Sequence, residues 1–171
     1  MADTTNVKLG VCSVNFGGTD LGHTKGGVTL AYTPEYVDIT VDQYGNSKVD
    51  KALVGEDMIV TVPLAESQVA NLANAIPMGT LAGAADGRIT IGKDAGDRLL
   101  DEAAQLVLHP IYLAAGDLSR DVVIHKAVVH NEISIPFTNE DQTTIEVEFC
   151  ALVDTSKTTG NYLGHIGDST D

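Results

Sequence analysis

The feature that most constrains the fold of this chain is a long run in which apolar and polar residues alternate. The run is YVDITVDQYGNSKVDKALVGEDMIVTVPLAE, residues 36–66. Its first strand places Val37, Ile39 and Val41 on one side and Asp38, Thr40 and Asp42 on the other. Because side chains alternate between the faces of a strand, the pattern predicts one buried face and one acidic face in water.

The same alternation returns near the end of the chain. In TTIEVEFCALVD, residues 143–154, Ile145, Val147 and Phe149 oppose Thr144, Glu146 and Glu148. Further strands are predicted where β-branched residues cluster. They cover residues 6–14, 28–33, 105–109, 120–130 and 132–137, with Pro34 ending the second of them. The Gly45-Asn46 pair predicts a turn that joins two strands, the second of which ends at about Pro63.

One helix is predicted, at about residues 66–76. Val69, Leu72, Ala73 and Ile76 recur at helical spacing, and Pro77 disfavours continuation. The chain of 171 residues suits a single domain, residues 1–171, with an N-terminal arm at 1–6 and a C-terminal arm at about 155–171. The predicted fold class is mainly β: a two-sheet antiparallel β-sandwich or barrel with one flanking α-helix and an extended hairpin loop.

Charge narrows the possible functions. The 24 acidic and 10 basic residues give a net charge of −14. Binding to nucleic-acid phosphates depends on Lys and Arg, so this balance argues against DNA binding by charge attraction.

The sequence offers no motif for catalysis. His125 and His130 are five residues apart, which sends them to opposite faces of a strand and away from a shared metal. The stretch GGTDLGHTKGG lacks the order of a phosphate-binding loop. Glu146 and Glu148 are interpreted as solvated acids, and Cys12 and Cys150 as free thiols. We therefore expect no enzyme activity, no cofactor, no metal and no insertion of this chain into a membrane.

Several segments together carry a family resemblance. They are LGHTKGGVTLAYTPEYVDITVDQYGNSKVDKALVGEDMIVTVPLAE with the helix after it, then LVLHP, DVVIHKAVV, TTIEVEFCALVD and NYLGHIGD. In this order they resemble the tail tube, or major tail, proteins of long-tailed bacteriophages. The likeness runs from about Val7 to Asp168, and residues 79–96 are its least characteristic part.

The resemblance implies a structural protein of the virion. Six copies would form a ring in which the inner sheets join into one continuous barrel, and rings would stack into a hollow tube with an acidic lumen. The genome would pass through that lumen during ejection without specific binding. Expected partners are other copies of the chain, the tape-measure protein, the tail terminator and the baseplate or tip proteins. The protein would be made in the bacterial cytoplasm and reside in the virion tail.

The resemblance also implies roles for particular residues. The lumen-lining candidates are Asp38, Thr40, Asp42, Thr144, Glu146 and Glu148. The ring-stacking candidates are Tyr44, Gly45, Asn46, Ser47 and Lys48, together with the two terminal arms.

Two alternatives stay open at this point. One is the tube protein of a contractile tail or a related injection machine, which would carry a sheath around a similar tube. The other is a monomeric β-sandwich that acts as a binding or virion decoration module. Such a module should present an exposed aromatic platform, whereas the chain has only eight aromatic residues, five Tyr and three Phe.

Overall fold

The structure is a computed structural model that describes residues 8–66, 68–83, 87–137 and 142–168. These residues form ten strands and one α-helix. The strands are β1 Cys12–Phe16, β2 Thr19–Asp20, β3 Thr29–Thr40, β4 Lys48–Leu64, β5 Thr80–Ala82, β6 Arg88–Thr90, β7 Ala104–Pro110, β8 Val122–Val129, β9 Ile145–Ala151 and β10 Gly164–Ile166. The helix α1 is Val69–Ala75, and short 3-10 helices lie at Asp42–Tyr44 and Leu99–Glu102.

Eight of the strands form one antiparallel sheet. Its order is β2-β1-β7-β8-β9-β4-β3, and β10 pairs with β8 beside that path. β5 and β6 form a separate two-stranded sheet. The prediction of a mainly antiparallel β fold with one helix is therefore confirmed.

The large sheet curls around its own core. Phe16 on β1 and Phe149 on β9 have ring centroids 4.9 Å apart, although β7 and β8 lie between their strands in the sheet. Three strand spacings would separate them by about 14 Å in a flat sheet. The contact therefore requires the sheet to fold over, which brings residues from distant strands onto a common core. That core is formed by Val14, Phe16, Leu21, Val60, Val62, Leu64, Ala75, Leu106, Leu108, Ile124, Ala127, Val129, Ile145, Val147, Phe149 and Ala151.

The helix is shorter than predicted and buries a different face. The side chains that it buries most fully are Asn71 and Ala75, while Leu72 is only partly buried against the core. Asn71 Nδ2 donates a hydrogen bond of 3.0 Å to the backbone oxygen of Leu21. A buried polar group must be paired, so this bond explains why an asparagine occupies a position at which periodicity predicts exposure.

Two predicted strand boundaries are wrong, and one predicted strand is missing. β3 continues through Pro34, which an edge strand tolerates because its outer backbone groups have no ladder partner. β1 begins only at Cys12, opposite Pro110 at the end of β7. Residues 132–137 form no strand, because the Asn131 side chain occupies part of the edge of β9. Its Nδ2 donates to the Glu146 oxygen at 3.1 Å, and its Oδ1 accepts from the Glu148 N–H at 3.0 Å.

Of the two predicted terminal arms, the structure describes part of the C-terminal one. The predicted N-terminal arm, residues 1–6, lies outside the described residues. The described part of the predicted C-terminal arm reaches residue 168 and contains a strand, since β10 pairs with β8. Leu163 packs against the core. This segment is therefore folded onto the body of the protein in the single chain.

Candidate assembly surface

The hairpin formed by β3 and β4 projects from the sheet. β4 pairs with β9 only over Ile59–Leu64, whereas its pairing with β3 continues to Lys48. Residues 32–58 are therefore a two-stranded segment without a third strand, which we call the ribbon. Two-stranded hairpins are at best marginally stable alone in water, so the ribbon is a segment that gains from further packing.

The ribbon exposes apolar side chains that the alternation predicts to be buried. Val37 is 50% exposed, Ile39 41% and Val41 37%. The prediction of a buried face at these three residues is wrong for the single chain, because the register places Val37 and Ile39 on the face opposite the core and the ribbon extends beyond the body of the sheet. Other large apolar side chains exposed there are Tyr32, Tyr36, Tyr44, Val49, Leu53 and Val54. Exposed apolar side chains in this number make the ribbon a candidate interaction surface.

Two irregularities shape the ribbon. The register between β3 and β4 shifts after Glu35, where Val54 is the extra residue, and again after Ile39, where Val49 is extra. An extra residue in one strand bends it and increases its twist. Val54 is 63% exposed, so the first bulge also presents an apolar side chain.

Asp38 is neutralised rather than free. Lys48 Nζ lies 2.6 Å from one of its carboxylate oxygens and Lys51 Nζ 3.5 Å from the other. The hydrogen bond from Lys48, with the positive charge of both lysines, lowers the pKa of Asp38 below its ordinary value. Asp38 is therefore a bridge between the two strands of the ribbon.

The structure does not bring the predicted lumen-lining residues together. Glu148 is opposite Thr61, and Thr61 is opposite Thr29. Alternate residues along a strand share a face, so the face of Glu146 and Glu148 continues on β3 as Val37 and Ile39. Asp38 and Thr40 belong to the other face. Asp42 lies in a 3-10 helix, and Thr144 precedes β9.

Glu146 and Glu148 share their face with acids that the sequence analysis missed. The register places Asp57 and Glu35 on the same side of β4 and β3. Among the described residues none of these four carboxylates makes an ion pair. Sequence alternation was present at Asp57 and Glu35, but only the strand register shows that they face the same way as Glu146. We call this set the acidic face.

The predicted stacking loop is the tip of the ribbon. Tyr44 is 68% exposed, and Gly45 has φ 60° and ψ −130°, a backbone conformation that favours glycine. The Ser47 N–H donates to the Tyr44 oxygen at 3.2 Å. Asn46 is exposed, and Lys48 is the residue that bridges to Asp38. The tip is thus an ordered turn that presents a tyrosine at the end of the ribbon.

The structure offers little for catalysis or metal binding. Within residues 8–66, 68–83, 87–137 and 142–168, no group of three or more His, Cys, Asp and Glu side chains is placed to hold a metal ion. Cys12 and Cys150 are free, and burial is the main factor that raises the pKa of each thiol. None of the helices in the described part of the chain has the length and apolar character needed to cross a membrane.

Fold and surface together define a class: an antiparallel β protein whose longest hairpin projects as an apolar ribbon. No protein-family model and no curated protein matches the sequence.

Proposed function

We propose that the chain is a self-assembling tube subunit, a tail tube protein of a long-tailed bacteriophage. The observation that carries the proposal is the ribbon, which extends beyond the sheet and exposes apolar side chains on both of its faces. In stacked rings the ribbon of one copy would pack on a copy in the next ring, so that the apolar surface becomes buried. The sequence resemblance supports the same assignment.

The free edge of the sheet supports ring formation. β3 is the terminal strand of the sheet, and within the described part of the chain its 12 residues pair only with β4. A long unpaired edge is a template for pairing with another chain, and closure into a ring removes it. We infer that edges of neighbouring copies join, so that six curled sheets form the continuous inner barrel of a hexamer.

Charge distribution favours the ribbon as the contact between copies. Residues 36–54 contain three aspartates and two lysines, a net charge of −1, within a chain of net charge −14. Copies of so acidic a chain repel one another, and this repulsion is weakest where the surface is nearly neutral. This outer part of the ribbon combines near-neutrality with exposed apolar area, whereas the base of the ribbon carries three further acids, Glu35, Glu56 and Asp57.

The acidic face is our candidate for the lumen wall. Of the six lumen-lining candidates predicted from the sequence, Glu146 and Glu148 belong to this face. Asp57 and Glu35 are added as candidates because they lie on the same face. Unpaired carboxylates repel phosphate over a screening length of about 8 Å at physiological salt, which would keep DNA from adhering during passage. Asp38 is withdrawn from this role because two lysines neutralise it.

Negative-stain electron microscopy of the purified, concentrated protein tests the proposal. We expect rings and hollow tubes. The double variant Val37→Ser, Ile39→Ser should remain folded and lose the tubes, because its ribbon buries less apolar area. The matched control is Ile91→Ser, which removes an apolar side chain that is 73% exposed outside the ribbon. Tubes in all three proteins would exclude the ribbon face from the interface, and only monomers in the wild type would oppose tube formation.

A monomeric binding module is the second candidate, and one observation favours it. A groove of about 410 Å³ lies between α1 and the sheet, with Phe16, Ile76, Met78, Leu81 and Val128 among its lining residues. Apolar grooves of this size suit small ligands. Monomers at every concentration, combined with ligand-induced shifts of resonances from the groove, would favour this function. A sheathed tube would give the same rings and differ by the presence of a sheath protein around them.

A further inference from the structure

The last described segment of the chain returns along β8. The His125 N–H donates to the Leu163 oxygen at 3.0 Å, β10 pairs with β8 over three residues, and the Gly167 N–H donates to the Asp121 oxygen at 2.8 Å. We call residues 161–168 the strap. Its attachment to β8 is short, so the side chains beneath it have a large influence on whether it stays bound.

A charged anchor holds the chain just before the strap. Asp154 is buried, and its carboxylate lies 3.0 Å from Lys126 Nζ and accepts hydrogen bonds from the backbone N–H and hydroxyl of Ser156. The bond from Lys126, followed by those from Ser156, lowers the pKa of Asp154 to about 2. This anchor is therefore fully ionised at any pH above about 4.

One histidine of β8, His125, lies against a histidine of the strap, His165, and neither makes an ion pair within the described residues. The rings of His125 and His165 have centroids 5.4 Å apart. His125 Nε2 is 3.0 Å from Asn161 Oδ1, whereas His165 Nδ1 is buried with no hydrogen-bond partner in the described part of the chain. A buried ring nitrogen that lacks a partner is tolerated far better in the neutral ring than in a charged one.

The charged groups around the pair also disfavour protonation. A cavity of about 210 Å³ adjoins the two histidines, and Lys157, Asp121, Gln105 and Asn161 line it. Lys157 adds positive charge from the strap side. Asp121, the one carboxylate in that lining, is already bound at 2.7 Å by His109 of β7. A proton on His165 would therefore lie near the positive charge of Lys157 and would find a carboxylate that is already engaged.

We propose that His165, packed against His125, is a proton-sensitive latch that keeps the strap on β8 when its ring is neutral and releases the strap when that ring is protonated. The Asp154 anchor stays in place during release. The device belongs to the single chain, so it goes beyond the proposed tube function and does not depend on it. Release would uncover the edge of β8 at Val122–Ile124, where β10 is paired.

The sign of the pH dependence follows from linkage. Burial, His125 and Lys157 lower the pKa of His165 below its ordinary value of 6.5. A released His165 then binds a proton more tightly than a docked one. Docking is fully favoured above about pH 6.5 and weakens as the pH falls through the lower pKa of the docked ring. The Asp154 anchor weakens only below about pH 4. Between pH 6.5 and pH 4, a loss of docking can therefore be assigned to the latch and not to the anchor.

Hydrogen exchange monitored by NMR tests the latch. Protection factors correct for the intrinsic pH dependence of exchange, and those of the His125 and Gly167 amides should fall between pH 7.5 and 5.5. The fall can reach at most about tenfold, because a released ring with the ordinary pKa of 6.5 is about ten parts protonated to one part neutral at pH 5.5. The Leu152 amide, which donates to the Lys126 oxygen, and the Ser156 amide, which donates to the Asp154 carboxylate, report on the anchor and should keep their protection. Unchanged protection at His125 and Gly167 would overturn the proposal.

Variants separate the latch from general acid unfolding. Lys157→Gln should bring the pKa of His165, followed by its imidazole resonances, closer to 6.5 and reduce the loss of protection. His165→Gln should remove the pH dependence. His130→Gln removes an exposed histidine outside the cluster and should leave it intact. If the strap does not dock in the His165→Gln variant, the proposal is tested by the titrations of the wild type and of Lys157→Gln. A His165 pKa at or above 6.5 in the wild type refutes the latch.

Discussion

At the scale of single residues, Gly164 is where the strap comes closest to β8. A Cβ atom there would lie 2.2 Å from the Val123 oxygen and 3.1 Å from the Ile124 Cα. Both are backbone atoms, so neither can move aside without disturbing the sheet. The position requires glycine because of this close approach, while its φ is not in the left-handed region.

Gly164→Ala should therefore detach β10 even at neutral pH. We expect lost amide protection at His125 and Gly167 and a decrease of about 1–3 kcal/mol in the free energy of unfolding, a typical cost of forcing extra volume into a packed site. Urea unfolding and hydrogen exchange measure the two effects. Gly116→Ala is the control, since nothing lies within 4 Å of its added Cβ. Equal effects of the two substitutions would refute the steric explanation.

Two phenylalanines with very different exposure test how burial affects the stability that the same side chain contributes. Phe149 is fully buried against Phe16, whereas Phe137 is 93% exposed. Phe149→Ala should lower the free energy of unfolding by about 3–5 kcal/mol, because it leaves a cavity in the core. Phe137→Ala should change it by less than about 0.5 kcal/mol. Chemical denaturation of the single chain measures both, and a large effect at Phe137 would show that the loop is packed in solution.

At the scale of elements, the ribbon depends on cross-strand pairing in place of a core. Asp38 bridges Lys48 and Lys51 across it. Asp38→Asn should lower amide protection within residues 32–58 by roughly threefold, the scale of an exposed ion pair, and leave the body of the sheet unchanged. Asp42→Asn, at the ribbon tip, is the control because Asp42 makes no ion pair among the described residues.

The same bridge predicts a pH dependence for the ribbon. The pKa of Asp38 is lowered in the folded chain, so its contribution is fully present above the ordinary value of 3.8 and is lost as the pH falls through the lower folded value. Ribbon protection in the wild type should follow this course and be independent of pH in Asp38→Asn. A wild-type ribbon that is equally protected above and below this interval would count against the bridge.

At the scale of the whole molecule, the acidic face is defined by strands that are distant in sequence. If it lines a lumen, the variant Glu146→Gln, Glu148→Gln should still assemble but slow genome ejection from virions built with it. The variant Asp94→Asn, Asp97→Asn removes the same charge from exposed positions outside the sheet and should eject normally. Failure of the first variant to form tubes would instead assign Glu146 and Glu148 to an interface.

Much of the fold follows from local pattern, and the exceptions have identifiable causes. The alternation at Ile145, Val147 and Phe149 predicted their burial correctly. The predicted strand at residues 132–137 failed because one side chain, that of Asn131, bonds to the edge of β9. A side chain that replaces the backbone hydrogen bonds of a neighbouring strand leaves no periodic signal in the sequence.

The candidate site was predictable only in part. The hairpin and its turn were visible from the sequence, and Asp38, Glu146 and Glu148 all carry the same alternating pattern. That pattern shows which residues of one strand share a face, but it contains nothing about how the faces of different strands align. The register through Thr61 and Thr29 places Asp38 on the opposite face from the two glutamates.

The sequence by itself determined most of the long strands and which residues within each of them lie together, because two-residue periodicity is a local property of the backbone. The tertiary structure decided which strands are neighbours and where the core ends. Val37 and Val147 have the same local pattern, yet Val147 is buried and Val37 is half exposed. The difference arises because the strand register places Val37 on the face opposite the core that Val147 joins, and because the ribbon extends beyond the body of the sheet.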